Sequence, residues 1–152
     1  EICACLVGSE MCIRDRTMTL MKRIISFSDK RLAAFIANSF REIFSYLSID
    51  TEILMSSDIP KDNSLRGKDK ILQICEILGA DTYYNAIGGQ NLYDKKEFSE
   101  HGIVLNFVDT IPKVYSQLRT KEFVPYLSMI DVLMNNTKDE VNDLLDSFCV
   151  RY

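Results

Sequence analysis

The residues with the widest chemical reach stand in one short run, Gly88-Gly89-Gln90-Asn91, followed by Tyr93 and Asp94. Two successive positions without a Cβ let backbone come close to a ligand or to another segment. Two carboxamides beside them supply donors and acceptors together. Such a loop can hold a phosphate, a sugar or a carboxylate on its N–H groups and side-chain amides, and it can equally be a tight turn. It is neither a Walker loop nor a dinucleotide fingerprint, because no Gly-Lys-Ser/Thr follows and no third glycine falls at the required spacing.

Three more groups are candidates. Tyr115 and Gln117 offer a ring that could stack on a sugar and an amide that could bond its hydroxyls, or they could pin their own loop. Ser128 and Asp131 read as an N-cap and a first-turn acid favoured by a helix dipole. Asp131 could also be a general base or orient a substrate amine. His101 is the only histidine, a residue type that often serves as a general base, but its place at the end of a short helix suits a solvated terminus. No Ser-His-Asp or Cys-His set can be assembled, no cofactor motif is present, and no metal-ligand set is expected.

These side chains need a frame. Ser28-Asp29 reads as a helix start, and Leu32, Phe35, Ile36, Phe40, Ile43, Phe44 and Leu47 follow at steps of three and four. The spacing predicts an amphipathic helix over 29–48 with an aromatic stripe. Thr51–Ser56 reads as a strand and Asp58–Lys68 as a loop. The basic residues Lys61, Arg66, Lys68 and Lys70 in or beside that loop either face solvent or reach toward an anionic ligand. Ile71, Ile74, Cys75 and Leu78 mark a second helix, closed by Gly79. Cys75 falls in its apolar stripe and is expected to be buried.

Thr82–Ala86 is β-branched and aromatic and reads as a strand. Asp94 can cap a short helix through Phe98, closed by Gly102, and Ile103–Val108 reads as a strand buried on both faces. Asp109–Tyr126 carries two prolines and is expected to be extended. Ser128 opens a helix to about Met134, and Thr137 or Lys138 opens another with Val141, Leu144, Leu145 and Phe148 on one side. Helices alternating with strands at this spacing predict an α/β fold, a parallel-leaning sheet with right-handed crossovers and Rossmann-like alternation.

Composition narrows the function classes. The chain has 152 residues, 47% of them hydrophobic and 26% charged, which suits one soluble domain with a real core. A net charge of −4 gives no basic footprint for nucleic acid. No apolar run approaches the length of a membrane span, so no membrane insertion is expected.

Residues 1–16 are set apart from the rest. Cys5–Arg16 resembles translated sequencing adapter, and it shows neither a clean period nor a cap, so residues 1–16 are expected to be a spurious or disordered extension. Cys3, Cys5 and Cys12 fall in it without a fourth ligand nearby. Without this extension, which holds Arg14 and Arg16 against Glu1, Glu10 and Asp15, 16 basic and 19 acidic residues remain and the charge is −3. Residues 17–152 are expected to form a single incomplete domain in which Thr17–Ile25 is a short, frayed lead-in. Cys75 and Cys149 are then the remaining cysteines, and nothing in the chain requires an oxidising compartment.

Asp81–Asp94 resembles the signature of the WbqC-like family, associated with bacterial cell-surface polysaccharide gene clusters. The resemblance runs from about Leu32 to about Leu145 through Leu78-Gly79-Ala80-Asp81-Thr82, the Gly88–Asp94 loop, His101-Gly102-Ile103 and Phe123–Leu133, where Leu127-Ser128-Met129-Ile130-Asp131 is well matched. Many family members have Gly-Pro in place of Ala86-Ile87, Lys or Arg in place of Gln90, and Asn in place of Tyr126. The resemblance implies a cytoplasmic protein that makes or modifies a surface polysaccharide of the O-antigen type. Transfer of an aminoacyl or other small acyl group onto an amino sugar or sugar nucleotide is the reaction it suggests. A non-catalytic binding or scaffolding protein of the same pathway is the alternative. The His-Gln-Pro-x-Tyr-x-Pro-Trp opening of the family is not in this chain. The chain is therefore expected to correspond to the carboxyl-terminal half to two-thirds of a member, and could be a structural half whose catalytic residues lie outside it.

Overall fold

A computed structural model describes residues 4–118 and 122–151, with side chains from Cys12 onward. The fold is mixed α/β, and the described residues form six α-helices and one three-stranded sheet. The chain divides into two compact units.

Unit 1 comprises residues 1–53 and 112–147 and is helical. Helix α1 spans Ala4–Ile25, α2 Leu32–Leu47, α5 Met129–Asn135 and α6 Lys138–Leu145. Leu20 and Ile24 of α1, Leu47 of α2, Leu133 of α5 and Val141 of α6 form one buried cluster, with Phe35, Ile43 and Val132 packed against it. The expectation of a frayed lead-in at Thr17–Ile25 is corrected by this packing. Thr17 is buried, its hydroxyl donates to the Leu133 carbonyl at 2.8 Å, and Leu20 and Ile24 lie in the core. Thr17, Leu20 and Ile24 stand three and four residues apart and so share one helix face, while Met18 and Ile25 lie exposed on others.

Helix α2 begins at Leu32, three residues later than the Ser28-Asp29 signal predicts. Asp29 uses its carboxylate to accept from the Arg31 N–H and to pair with the Arg31 guanidinium, which caps a turn ahead of the helix. Part of the α2 stripe is covered, while Leu32, Ile36 and Phe40 stay exposed. Helix α6 opens on a full capping box, in which Thr137 Oγ1 accepts from Glu140 N and Glu140 Oε2 accepts from Thr137 N.

Unit 2 comprises residues 54–111 and 148–152 and holds the sheet. Helix α3 spans Gly67–Leu78, β1 Thr82–Ala86, α4 Lys95–Glu100, β2 Val104–Thr110 and β3 Phe148–Arg151. Helix α3 ends where Gly79 takes φ 63°, and the Ala80 N–H returns to the Cys75 carbonyl. Strands β1 and β2 are parallel, with Thr82 opposite Val104 and Ala86 opposite Val108. Strand β3 lies antiparallel on β2, with Phe107 opposite Arg151 and Thr110 opposite Phe148. The sheet is therefore mixed rather than uniformly parallel, and Phe148 belongs to a strand rather than to the α6 stripe. Thr51–Ser56 forms no strand. Its composition suits one, but a strand exists only when a neighbour takes up its backbone hydrogen bonds.

Leu72 and Cys75 of α3, Phe98 of α4, Ile103, and Leu105 and Phe107 of β2 make the core of unit 2. Cys75 is buried there, which pushes its thiol above the usual range. Strand β2 is buried on both faces at Leu105, Asn106 and Phe107, whose side chains alternate, and is exposed at its first residue, Val104.

Candidate functional site

In unit 2 the chain leaves β1 through a 3₁₀ turn, Ile87–Gly89. Gly89 is buried, and a Cβ placed on it would lie 2.5 Å from Asn85 Nδ2. The close approach that glycine permits here is thus to the side chain of Asn85, whose Oδ1 accepts from the Ala86 N–H. Gly88 is exposed, with open space where its Cβ would stand.

Beyond the turn, Gln90, Asn91 and Tyr93 line an open groove of about 630 Å³. Its other walls come from Leu92, from Asp94, Lys95 and Glu97 at the start of α4, from Lys68 of α3 and from Phe107 of β2. Asn85, next to last in β1, pairs with Phe107 in the middle of β2, and the groove residues Gln90–Tyr93 follow the carboxyl end of β1, the kind of edge at which open α/β sheets commonly bind ligands. Tyr93 is fixed by edge-on contacts to Phe98 at 5.8 Å and Tyr83 at 6.2 Å, and Tyr83 stacks on Phe98 at 5.7 Å. Burial raises the Tyr83 phenol above its ordinary range, with the neighbouring Tyr93 adding to it.

Four charged side chains share the groove. Asp94 caps α4 by accepting from the Lys96 N–H at 2.8 Å. Lys68 is ion-paired with Glu97, and that hydrogen bond raises the Lys68 ammonium above its usual range. Lys95 holds its ammonium 5.9 Å from the centre of the Phe107 ring, a cation–π contact.

Tyr115 and Gln117, one candidate pair, and Asp131, from another, form one hydrogen-bonded cluster in unit 1. The Tyr115 hydroxyl donates to Asp131 Oδ2 at 2.6 Å, and Gln117 Nε2 donates to the same oxygen at 3.1 Å. Asn135 Nδ2 donates to Asp131 Oδ1 at 3.1 Å. Gln117 also bonds both backbone groups of Val124, accepting from its N–H at 2.8 Å and donating to its carbonyl at 2.9 Å. The Tyr115 ring meets Phe123 edge-on at 5.1 Å. Its phenol is raised above the usual range, first by burial and then by the Asp131 carboxylate that holds its proton.

Ser128 sits at the N-cap of α5, but its hydroxyl makes no capping bond. Its carbonyl accepts from the Asp131 and Val132 N–H groups instead. His101 caps the end of α4, is exposed, and bonds Glu76 Oε1 through Nδ1 at 2.6 Å. Cys12 is exposed, and the structures of Cys3 and of the Cys5 side chain lie outside the described residues. Among the described residues no group of three His, Cys, Asp or Glu side chains is placed to hold a metal ion.

Sequence reasoning did not assign Lys95, Glu97 or Phe107 to a site. Lys68 was legible only as one of several basic residues, and among Lys61, Arg66, Lys68 and Lys70 only Lys68 lines the groove.

The sequence profile of the WbqC-like protein family matches residues 9–143, most of the chain. The chain belongs to the WbqC-like family. No curated protein and no solved structure matches it. Membership points to polysaccharide biosynthesis and no further. Among the described residues no helix is long and apolar enough to cross a membrane.

Proposed function

We propose that this WbqC-like protein acts in the biosynthesis of a bacterial surface polysaccharide, in the cytoplasm, and that its unit 2 groove binds an amino sugar or the nucleotide that carries one. The observation that supports this reading is the lining of the groove. Carboxamides at Gln90 and Asn91 suit hydroxyl groups, the half-buried Tyr93 offers ring surface, and lysines stand at its walls. Sugar sites combine these same elements: planar apolar surface for the ring and bidentate amides for the hydroxyls.

The reaction we assign is transfer of an aminoacyl or other small acyl group to the amine of that sugar. A carbon–nitrogen bond forms at the acyl carbon, the bond to the carrier breaks, and the proton lost by the amine ends on the departing carrier. The occupancy of Asp131 favours a second reading. Both of its oxygens already accept hydrogen bonds from Tyr115, Gln117 and Asn135, as an anchor for the 115–124 segment would. On that reading the protein binds or scaffolds in the pathway without catalysing.

A thermal-shift screen of the whole chain with sugar nucleotides, amino sugars and amino acids tests the groove, since a ligand held only by the native state raises the melting temperature. The expected result is a rise with at least one amino-sugar compound that Gln90→Ala together with Asn91→Ala removes. No rise with any of them, or a rise that the double variant keeps, sinks the assignment. Mass-spectrometric detection of acylated sugar then separates transfer from binding alone.

A further inference from the structure

Two cations and two carboxylates line the unit 2 groove, and they are not equivalent. The Asp94 carboxylate is committed to capping α4. Lys68 and Glu97 pair with each other, with side chains 43% and 38% exposed. An ion pair this open to water adds little to stability, so a ligand can replace it at little cost. The Lys95 ammonium rests over the Phe107 ring. A cation held on a ring face keeps its other donors for an anion.

This arrangement discriminates among ligands. A neutral sugar would leave the charges unused. A purely anionic ligand would gain Lys95 and Lys68 but would lie against Glu97, released from its partner. A ligand carrying both an anion and an ammonium satisfies all three, with the anion toward Lys95 and Lys68 and the ammonium toward Glu97. Resting on the proposal that the groove takes an amino sugar, we infer that the preferred form is a phosphorylated amino sugar with a free, protonated amine. Lys95 and Lys68 take the phosphate, and Glu97 reads the amine. An N-acylated sugar lacks that ammonium and is the weaker ligand. The groove therefore distinguishes the amine before acylation from the amide after it, which would favour release of an acylated product.

Calorimetric titration of the whole chain with glucosamine 1-phosphate, glucose 1-phosphate, N-acetylglucosamine 1-phosphate and glucosamine, at slightly acidic pH, tests this. Glucosamine 1-phosphate is expected to bind about tenfold more tightly than each of the other three, one added charge contact each time. Glu97→Gln frees Lys68 and removes the repelling carboxylate. It is expected to tighten glucose 1-phosphate while abolishing the preference for the amine. Lys95→Gln is expected to abolish the preference for phosphate. Both substituted side chains are partly or fully exposed, and the wild-type comparison stands without the variants.

Equal binding of glucosamine 1-phosphate and glucose 1-phosphate overturns the inference, as does Glu97→Gln weakening both alike. Binding of none of the four also overturns it. If the thermal-shift screen still finds a groove-dependent amino-sugar ligand in that case, the proposed function stands and only the charge reading is lost.

Discussion

The side-chain amide of Gln117 closes a two-point clamp on the backbone of Val124, accepting from its N–H at 2.8 Å and donating to its carbonyl at 2.9 Å. A buried carboxamide here takes up backbone groups that a strand partner would otherwise hold. Gln117→Ala leaves both Val124 groups without these bonds and removes a donor from Asp131. Val124 is exposed, so water takes up part of the loss, and each hydrogen bond removed costs about 0.5–1.5 kcal/mol net; the variant is expected to lower stability by about that or somewhat more. Urea denaturation measures the loss, and limited proteolysis should cut between residues 117 and 124 sooner. An unchanged midpoint together with unchanged proteolysis would show that the clamp does not hold the segment.

Tyr115 and Tyr83 both have phenols raised above the ordinary range, first by burial. A raised phenol means that the folded state holds its proton longer than the unfolded chain does. The resulting stability is fully present below the unfolded value near 10 and is lost as pH rises through the higher folded value. Unfolding is therefore expected to become easier at strongly alkaline pH. Tyr115→Phe keeps the edge contact with Phe123 and gives up the Asp131 bond, at about 0.5–1.5 kcal/mol near neutrality. The same variant should flatten the alkaline fall, read from melting temperatures across the pH range. An equally steep fall in the variant would place its origin elsewhere.

The capping box at α6 predicts the opposite pH slope. The Thr137 backbone and hydroxyl groups hold the Glu140 carboxyl below its usual range. A lowered carboxyl contributes stability above its unfolded value, and that contribution disappears as pH falls through the folded value. Thr137→Ala removes the side-chain half of the cap and is expected to cost about 1 kcal/mol at neutral pH. The difference between wild type and Thr137→Ala should shrink on acidification below about pH 4, where the carboxyl is protonated in both. A difference constant with pH would mean that the hydroxyl alone carries the effect.

Some of this was open to sequence reasoning, and locality decides which part. Thr82–Ala86 is a strand from end to end, Asp94 is a cap and Gly79 is a left-handed stop, because each signal lies within a few residues of the structure it specifies. Strand β3 was missed because Phe148–Arg151 is only four residues long and its partner is some forty residues away on β2. Helix α1 was missed beyond Thr17 because Leu20 and Ile24 acquire meaning only from Leu133 and Val141, far along the chain. The same limit applies to the sites. Tyr115, Gln117 and Asp131 were each visible, but their mutual bonds were not. Lys95 became a candidate only once β2 placed Phe107 beside it.

The last prediction concerns the turn that opens the groove. Gly89 is in contact with Asn85, so a methyl group there would press on Asn85 Nδ2 at 2.5 Å and on Cγ at 3.1 Å. Asn85 could rotate away, but its Oδ1 would then give up the Ala86 N–H, which it accepts at 2.8 Å. Gly89→Ala is therefore expected to cost about 1–3 kcal/mol by overpacking. Asn85→Ala removes both the obstacle and the bond, at about 0.5–1.5 kcal/mol. If steric contact is the cause, adding Gly89→Ala to Asn85→Ala should cost almost nothing more, and the double-mutant cycle should show coupling of about 1 kcal/mol or above. Additive losses would mean that the glycine answers to something other than Asn85. Ligand binding measured on the same four proteins then isolates the groove. Asn85→Ala with Gly89→Ala should still bind if the turn only supports Gln90 and Asn91, and should fail to bind if a ligand itself touches the glycine backbone.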